Sequence, residues 1–152
     1  MRYKIKLKGS KEDIFHLCLL EVESGYYAAK NKHLSDLKEI RGTTFQVPVK
    51  VGNKVDASRS AVIKITDYVY PEHFSFDYRS STYHKISEFS FAEPEGDYNV
   101  LLLHSRDERL SNGKVTKTGK DSDEYRSSLM LSMQMRRALK QYIEEKNRTT
   151  GK

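Results

Sequence analysis

Apolar and polar residues alternate along the first positions of the chain, with Tyr3, Ile5 and Leu7 on one side and Arg2, Lys4, Lys6 and Lys8 on the other. A two-residue period is that of a strand with one buried face, so the chain opens on a strand whose outer face is a row of cations. Gly9 stops it. Ser10-Lys11-Glu12-Asp13 then offers a capping hydroxyl followed by acids suited to a first helical turn. Ile14, Leu17, Cys18 and Leu20 continue as a helical stripe, which Ser24-Gly25 interrupts before Tyr26-Tyr27-Ala28-Ala29 resumes it. Glycine costs about 1 kcal/mol relative to alanine inside a helix, and the pattern predicts two short helices jointed at Ser24-Gly25.

From Gly42 to about Arg106 the chain becomes a series of short runs rich in Val, Ile, Phe, Tyr and Thr, broken by turn residues. Phe45, Val47, Val49 and Val51 alternate, and Gly52-Asn53 suits a tight hairpin. Ala61 to Tyr70 reads as the next long strand, and Pro71-Glu72 turns it. Phe74, Phe76 and Tyr78 alternate with Ser75, Asp77 and Arg79; after Ser80-Ser81-Thr82, Tyr83 to Ala92 carries Phe89 and Phe91 on one face. Glu93-Pro94-Glu95-Gly96-Asp97 turns again, and Tyr98 to Arg106 closes the meander. Short links make sequence neighbours pair, giving an antiparallel up-and-down sheet. The count is six strands, or seven if the run from Val55 to Tyr70 divides at Ser58-Arg59-Ser60.

Residues 107 to 120 are polar and contain Asn112-Gly113 and Gly119, the composition of a loop. A long final helix follows, with Asp121, Ser122, Asp123 and Glu124 at its start and no Gly or Pro from Tyr125 to Lys146. Its stripe groups Leu129, Met133, Leu139 and Ile143 with Tyr125, widened by Leu131, Met135, Ala138 and Tyr142. Residues 147–152 read as a frayed tail. No repeat or linker divides the chain, so 1–152 reads as a single α+β domain.

Composition narrows the class. Of the 152 residues, 35 are Leu, Ile, Val or Phe, enough for a thin core to which 16 Phe and Tyr add large areas. No apolar run approaches the roughly 18 residues of a membrane span, and the charged N-terminus lacks the continuous apolar stretch of a secretory signal. The single Cys18 cannot form an internal disulfide and sits among apolar residues, which fits a core position and a reduced, cytoplasmic setting.

The order of strand, jointed helices, five-strand meander and long C-terminal helix resembles the helix-grip fold of the START-like and birch-pollen-allergen-like (SRPBCC) superfamily. The Lys4-Ile5-Lys6-Leu7 opening, the Ile65-Thr66-Asp67-Tyr68 strand and the Met-rich basic final helix are also similar to a family of small, functionally uncharacterised domains from Firmicutes bacteria. The resemblance implies a curved sheet packed against the last helix, with an apolar or amphipathic small molecule held between them.

Within that frame Phe74, Phe76, Tyr78, Tyr83, Phe89 and Phe91 are candidates for an aromatic ligand wall, and they are equally ordinary core positions. On the final helix, Met133 and Arg136 join them, near Ser128 and Ser132, whose small side chains would leave space. The planar guanidinium of Arg136 is suited to a carboxylate or phosphate; alternatively it snorkels to solvent or pairs with a sheet carboxylate. Met130, Met133 and Met135 serve equally as gap-fillers.

His16, His33, His73, His84 and His104 show no metal-ligand spacing, so no metal or cofactor is expected. His104 with Asp107, or with His84, is the arrangement that proton transfer would use, which keeps a cyclase-like or hydrolase-like enzyme as one alternative. The net charge of +6 is concentrated in residues 111–152, with ten Lys or Arg against five Asp or Glu. A basic face of that kind offers a second alternative, a protein- or nucleic-acid-interaction module with no open pocket. A solvated surface explains the charge more simply, and the leading expectation is a non-enzymatic ligand-binding domain. The sequence does not fix its oligomeric state.

Overall fold

The computed structural model describes residues 2–51, 54–94, 96–110 and 121–149. In chain order it comprises β1 (Arg2–Leu7), α1 (Lys11–Lys30), a 3-10 turn (Leu34–Asp36), β2 (Thr44–Val51), β3 (Lys54–Val69), β4 (His73–Arg79), β5 (Tyr83–Ala92), β6 (Val100–Leu110) and α2 (Asp121–Thr149). All the pairings are antiparallel, in the order β1-β6-β5-β4-β3-β2. The meander pairs with its sequence neighbours as the turn spacing predicts, and β1 adds to β6.

β3 begins seven residues before the expected Ala61 and is interrupted where the sequence suggested a division. Its register against β2 jumps from Pro48 opposite Ser60 to Val49 opposite Asp56. Ser58 closes this irregularity by donating from its amide (3.0 Å) and hydroxyl (2.5 Å) to Asp56 Oδ1. A second shift lies between Ile65 and Asp67, where the Thr66 and Ser75 hydroxyls share a 2.7 Å hydrogen bond. Bulges bend strands and increase their twist, and the sheet curls into a half-barrel of six strands, seven when β3 is counted as two. β6 runs to Leu110, so residues 107–110 are strand rather than loop; 111–120 and the Gly52-Asn53 turn lie outside the described residues.

α1 is one continuous helix, not two short ones. Ser10 Oγ accepts from the Asp13 amide at 3.1 Å at its start, and Asn31 closes its end at φ 55°, donating to the Tyr27 carbonyl at 2.8 Å. Gly25 lies inside it for a packing reason: a Cβ there would stand 3.1 Å from Val47 Cγ1 and 3.2 Å from Phe45 Cε2. The glycine lets α1 approach β2 and leaves the helix unbroken.

The main core joins Phe15, Leu19, Val22 and Tyr26 of α1 to Phe45, Ile63, Ile65, Phe74 and Phe76 on the concave side of the sheet. A second core joins Ile5, Leu7, Val100 and Leu102 to Ile14 and to Leu139 of α2. α2 packs along β1, the edge of the sheet. Ser128 Oγ accepts from the Lys4 amide (3.3 Å) and Arg136 Nε donates to the Lys6 carbonyl (3.1 Å), so the helix covers backbone groups that an edge strand leaves unpaired. Lys146 Nζ reaches Asp13 Oδ1 at 2.8 Å and ties α2 to α1. The expected stripe holds in part: Leu139 and Ser132 are buried and Ile143 packs on the second core, whereas Leu129 and Met133 are 50% and 53% exposed. The helix continues through Thr149, past the predicted onset of fraying at 147, with the Thr149 hydroxyl bonded to the Glu145 and Lys146 carbonyls.

Candidate functional site

Strand register arranges the concave face as rows. Tyr68, Phe74, Phe89, His104 and Tyr3 form one row across β3, β4, β5, β6 and β1. The next contains Ile65, Phe76, Ser87 and Arg106, and the one beyond it Phe45, Ile63, Tyr78, Lys85 and Glu108. Residues two apart on a strand share a face, so the progression from Phe89 through Ser87 to Lys85 is a change of chemistry along one surface.

At the aromatic end the face is sealed. Phe74 is fully buried, with Phe15 edge-on at 5.3 Å and Phe89 stacked at 4.7 Å, and Phe89 stacks in turn on His104 at 4.2 Å. His104 Nε2 is buried and has no hydrogen-bond partner among the described residues. Burial, reinforced by the charges of Arg106 and Lys85, pushes its pKa down to about 4.

At the other end a cavity of about 1190 Å³ opens between the flank of α1, β2 and the β4–β5 hairpin. Ser24, Gly25, Ala28 and Ala29 form the α1 wall, where small side chains leave room. Val47, Val49 and Ile63 supply an apolar wall from β2 and β3, while Tyr78, Tyr83 and Lys85 line the opposite side. Arg59 leaves the interruption in β3 and donates to Thr82 Oγ1 at 3.0 Å, bridging to the hairpin turn. Glu21, exposed on α1, completes the rim.

Lys85 is half-buried, its ammonium 5.5 Å from the Tyr78 ring centroid and 5.7 Å from that of Phe76. Burial lowers its pKa, and Glu21 and Glu108 oppose that effect through their charges. Among the described residues it has no hydrogen bond and no ion pair. Glu108 pairs with Arg106, and the same two groups contact the Tyr83 hydroxyl. Burial first, and then the Glu108 contact, push the Tyr83 pKa up to about 12; burial also raises that of Tyr78. Both phenols are neutral hydrogen-bonding groups at ordinary pH.

The sequence candidates divide. Tyr78 and Tyr83 line the cavity, and Phe76 lies beneath Lys85; Phe74 is sealed core, and Phe89 and Phe91 are half-buried between the two cores. Met133 lies on the exposed side of α2, and Arg136 stacks on Tyr98 at 4.4 Å beside a separate cleft of about 380 Å³ that includes Leu139 and Ile143. Neither borders the α1 cavity. Sequence reasoning missed Lys85, Arg59 and Glu21. Continuing the face of Phe91 and Phe89 one and two further strand periods would have found Ser87 and Lys85. The proposed histidine pairs do not form: His84 bonds Asp77 at 2.5 Å on the convex face, whereas His104 faces inward and Asp107, three residues later, faces outward. Among the described residues no cluster is suited to a metal ion. Cys18 is packed against both cores, and burial pushes its thiol pKa up to about 12, the opposite of an activated nucleophile.

This curled antiparallel sheet has counterparts among small bacterial proteins of unknown function. A conserved protein from Geobacillus kaustophilus superposes with a TM-score of 0.53 at 17% identity, covering 94% of each chain. A protein of unknown function from Staphylococcus aureus gives 0.53 at 13% identity, over 97% of this chain and 94% of its own. These are likenesses of fold. No protein-family model matches the sequence, and no curated protein matches it significantly. No helix among the described residues is long and apolar enough to cross a membrane.

Proposed function

We propose that this is a START-like, helix-grip domain that binds a small amphipathic molecule in the cavity between α1 and the open end of the concave face. The carrying observation is the cavity itself: about 1190 Å³, with apolar walls from Val47, Val49 and Ile63 facing Tyr78, Tyr83 and Lys85. Ligand sites typically enclose about 300–1,000 Å³ with mostly apolar walls and a few polar groups. Its position at the flank of α1 differs from the gap beneath the C-terminal helix that the superfamily resemblance implies, because α2 is engaged with the β1 edge. The half-buried, unactivated thiol of Cys18 is compatible with a cytoplasmic setting.

Native mass spectrometry of the protein as purified, repeated after denaturation and refolding, tests the reading together with melting curves in dodecanoate and dodecanol. The expected outcome is an added mass that leaves on denaturation, or a rise in melting temperature with an amphiphile, since a ligand at 100 times its Kd stabilises by about 2.7 kcal/mol. A bare mass together with no rise in either amphiphile overturns it.

A further inference from the structure

We infer that the ligand of this cavity carries a single negative charge, a carboxylate, and that Lys85 is its counter-ion. The inference rests on the binding reading above and adds the chemistry of the head group.

Lys85 enters the cavity from β5 between the Tyr78 and Phe76 rings, at 5.5 and 5.7 Å from their centroids. Removing a charge from water is costly unless it is paired and hydrogen-bonded, and aromatic faces compensate only in part. Lys85 has neither an ion pair nor a hydrogen bond among the described residues. The carboxylates nearby do not fill that role: Glu108 is engaged by Arg106, and Glu21 stands exposed on the rim. An incoming carboxylate would supply the missing acceptor, with its chain against Val47, Val49 and Ile63.

The charge balance selects a monoanion. Arg59, which donates to the neutral Thr82 hydroxyl and keeps its charge, and Lys85 stand against Glu21 at the entrance, so the charged groups of the cavity lining sum to +1. A monoanion neutralises that net charge, whereas a phosphate dianion would exceed it and meet the Glu21 repulsion twice. Tyr78, held in its neutral form, offers a hydroxyl donor that an anion accepts from at no charge cost, while the Tyr83 hydroxyl is engaged by Glu108 and Arg106.

Displacement of a neutral fluorescent probe, Nile red, from delipidated protein by dodecanoate, dodecanol and dodecyl phosphate tests this. Wild type should bind dodecanoate about tenfold or more tightly than dodecanol, the scale of one charge-assisted hydrogen bond, with dodecyl phosphate weaker than dodecanoate. Lys85→Met, which keeps the apolar stem, should bring acid and alcohol within about twofold of each other, and Lys85→Arg should restore the preference. Dodecanol binding as tightly as dodecanoate to wild type, an acid preference that survives in Lys85→Met, or tighter binding of dodecyl phosphate overturns the inference and leaves the cavity reading standing. No binding by any of the three, together with a bare native mass, overturns both. The wild-type comparison decides the sign of the preference even if a variant does not fold.

Discussion

Phe74 and Tyr78 lie on the same strand and the same face, two strand periods apart, as do Phe89 and Lys85 on the neighbouring strand. Around the first pair the side chains close completely: Phe15 from α1 meets Phe74, and Phe89 joins it to His104. Around the second pair α1 presents Ser24, Gly25, Ala28 and Ala29, and a cavity remains. Strand alternation thus decides which residues face inward but not whether they are covered. The size of the helical residues opposite them decides that.

The sharpest way to break the comparison is to truncate one ring at each end. Phe74→Ala should cost about 3–5 kcal/mol, the range for a sealed aromatic side chain. Tyr78→Ala, beside space that is already open, should cost less than half of that, about 1–2 kcal/mol. Urea denaturation of the two variants checks the difference, and equal losses would mean that the cavity end is packed as tightly as the core.

Next in size is a pH effect at the sealed end. The folded state holds His104 with a pKa of about 4, against about 6.5 for an unfolded histidine. Between these values the unfolded chain takes up a proton that the folded chain refuses. Stability from this group is therefore complete above pH 6.5 and lost as pH falls towards 4, by up to about 3 kcal/mol. His104→Phe, which keeps a ring between Tyr3 and Phe89, should remove that part of the pH dependence in urea titrations at several pH values. An unchanged slope would show that His104 is not shielded.

A smaller effect separates the two helices. Arg136→Ala removes the bond to the Lys6 carbonyl and the stacking on Tyr98, which should cost about 1–2 kcal/mol. Binding of an amphiphile in the α1 cavity should be unaffected. A stability loss without an affinity loss sharpens the division between α2 as an edge cover and α1 as a cavity wall; an affinity loss would place the head group near α2 instead.

The sheet was legible because its signal is local: alternation in Tyr3-Ile5-Leu7 and Phe74-Phe76-Tyr78, with turn residues between, dictates strands and their order. The supposed joint at Gly25 failed because a helical glycine signals either weakness or close approach, and only Phe45 and Val47 opposite it tell which. On α2 the period was right and places Ser132 and Leu139 inward, but Leu129 and Met133 of the same stripe are exposed. Edge coverage there calls for a near approach, and Ser128 and Arg136 bond to the β1 backbone, a demand that no hydrophobic pattern records. The cavity was half legible. Tyr78 and Tyr83 were named for their aromatic character, whereas Lys85 was passed over because a cation on an inward face contradicts the ordinary pattern. That contradiction is the signal by which polar residues at functional sites can be found.

The most direct test of the cavity account is methyl-resolved NMR of labelled protein titrated with dodecanoate. The predicted result is that Ala28, Ala29, Val47, Val49 and Ile63 shift, while Ile5, Leu7 and Leu102 in the second core and Leu139 and Ile143 beside the α2 cleft stay in place. Shifts confined to Leu139 and Ile143, or no shifts at saturating dodecanoate, would contradict it.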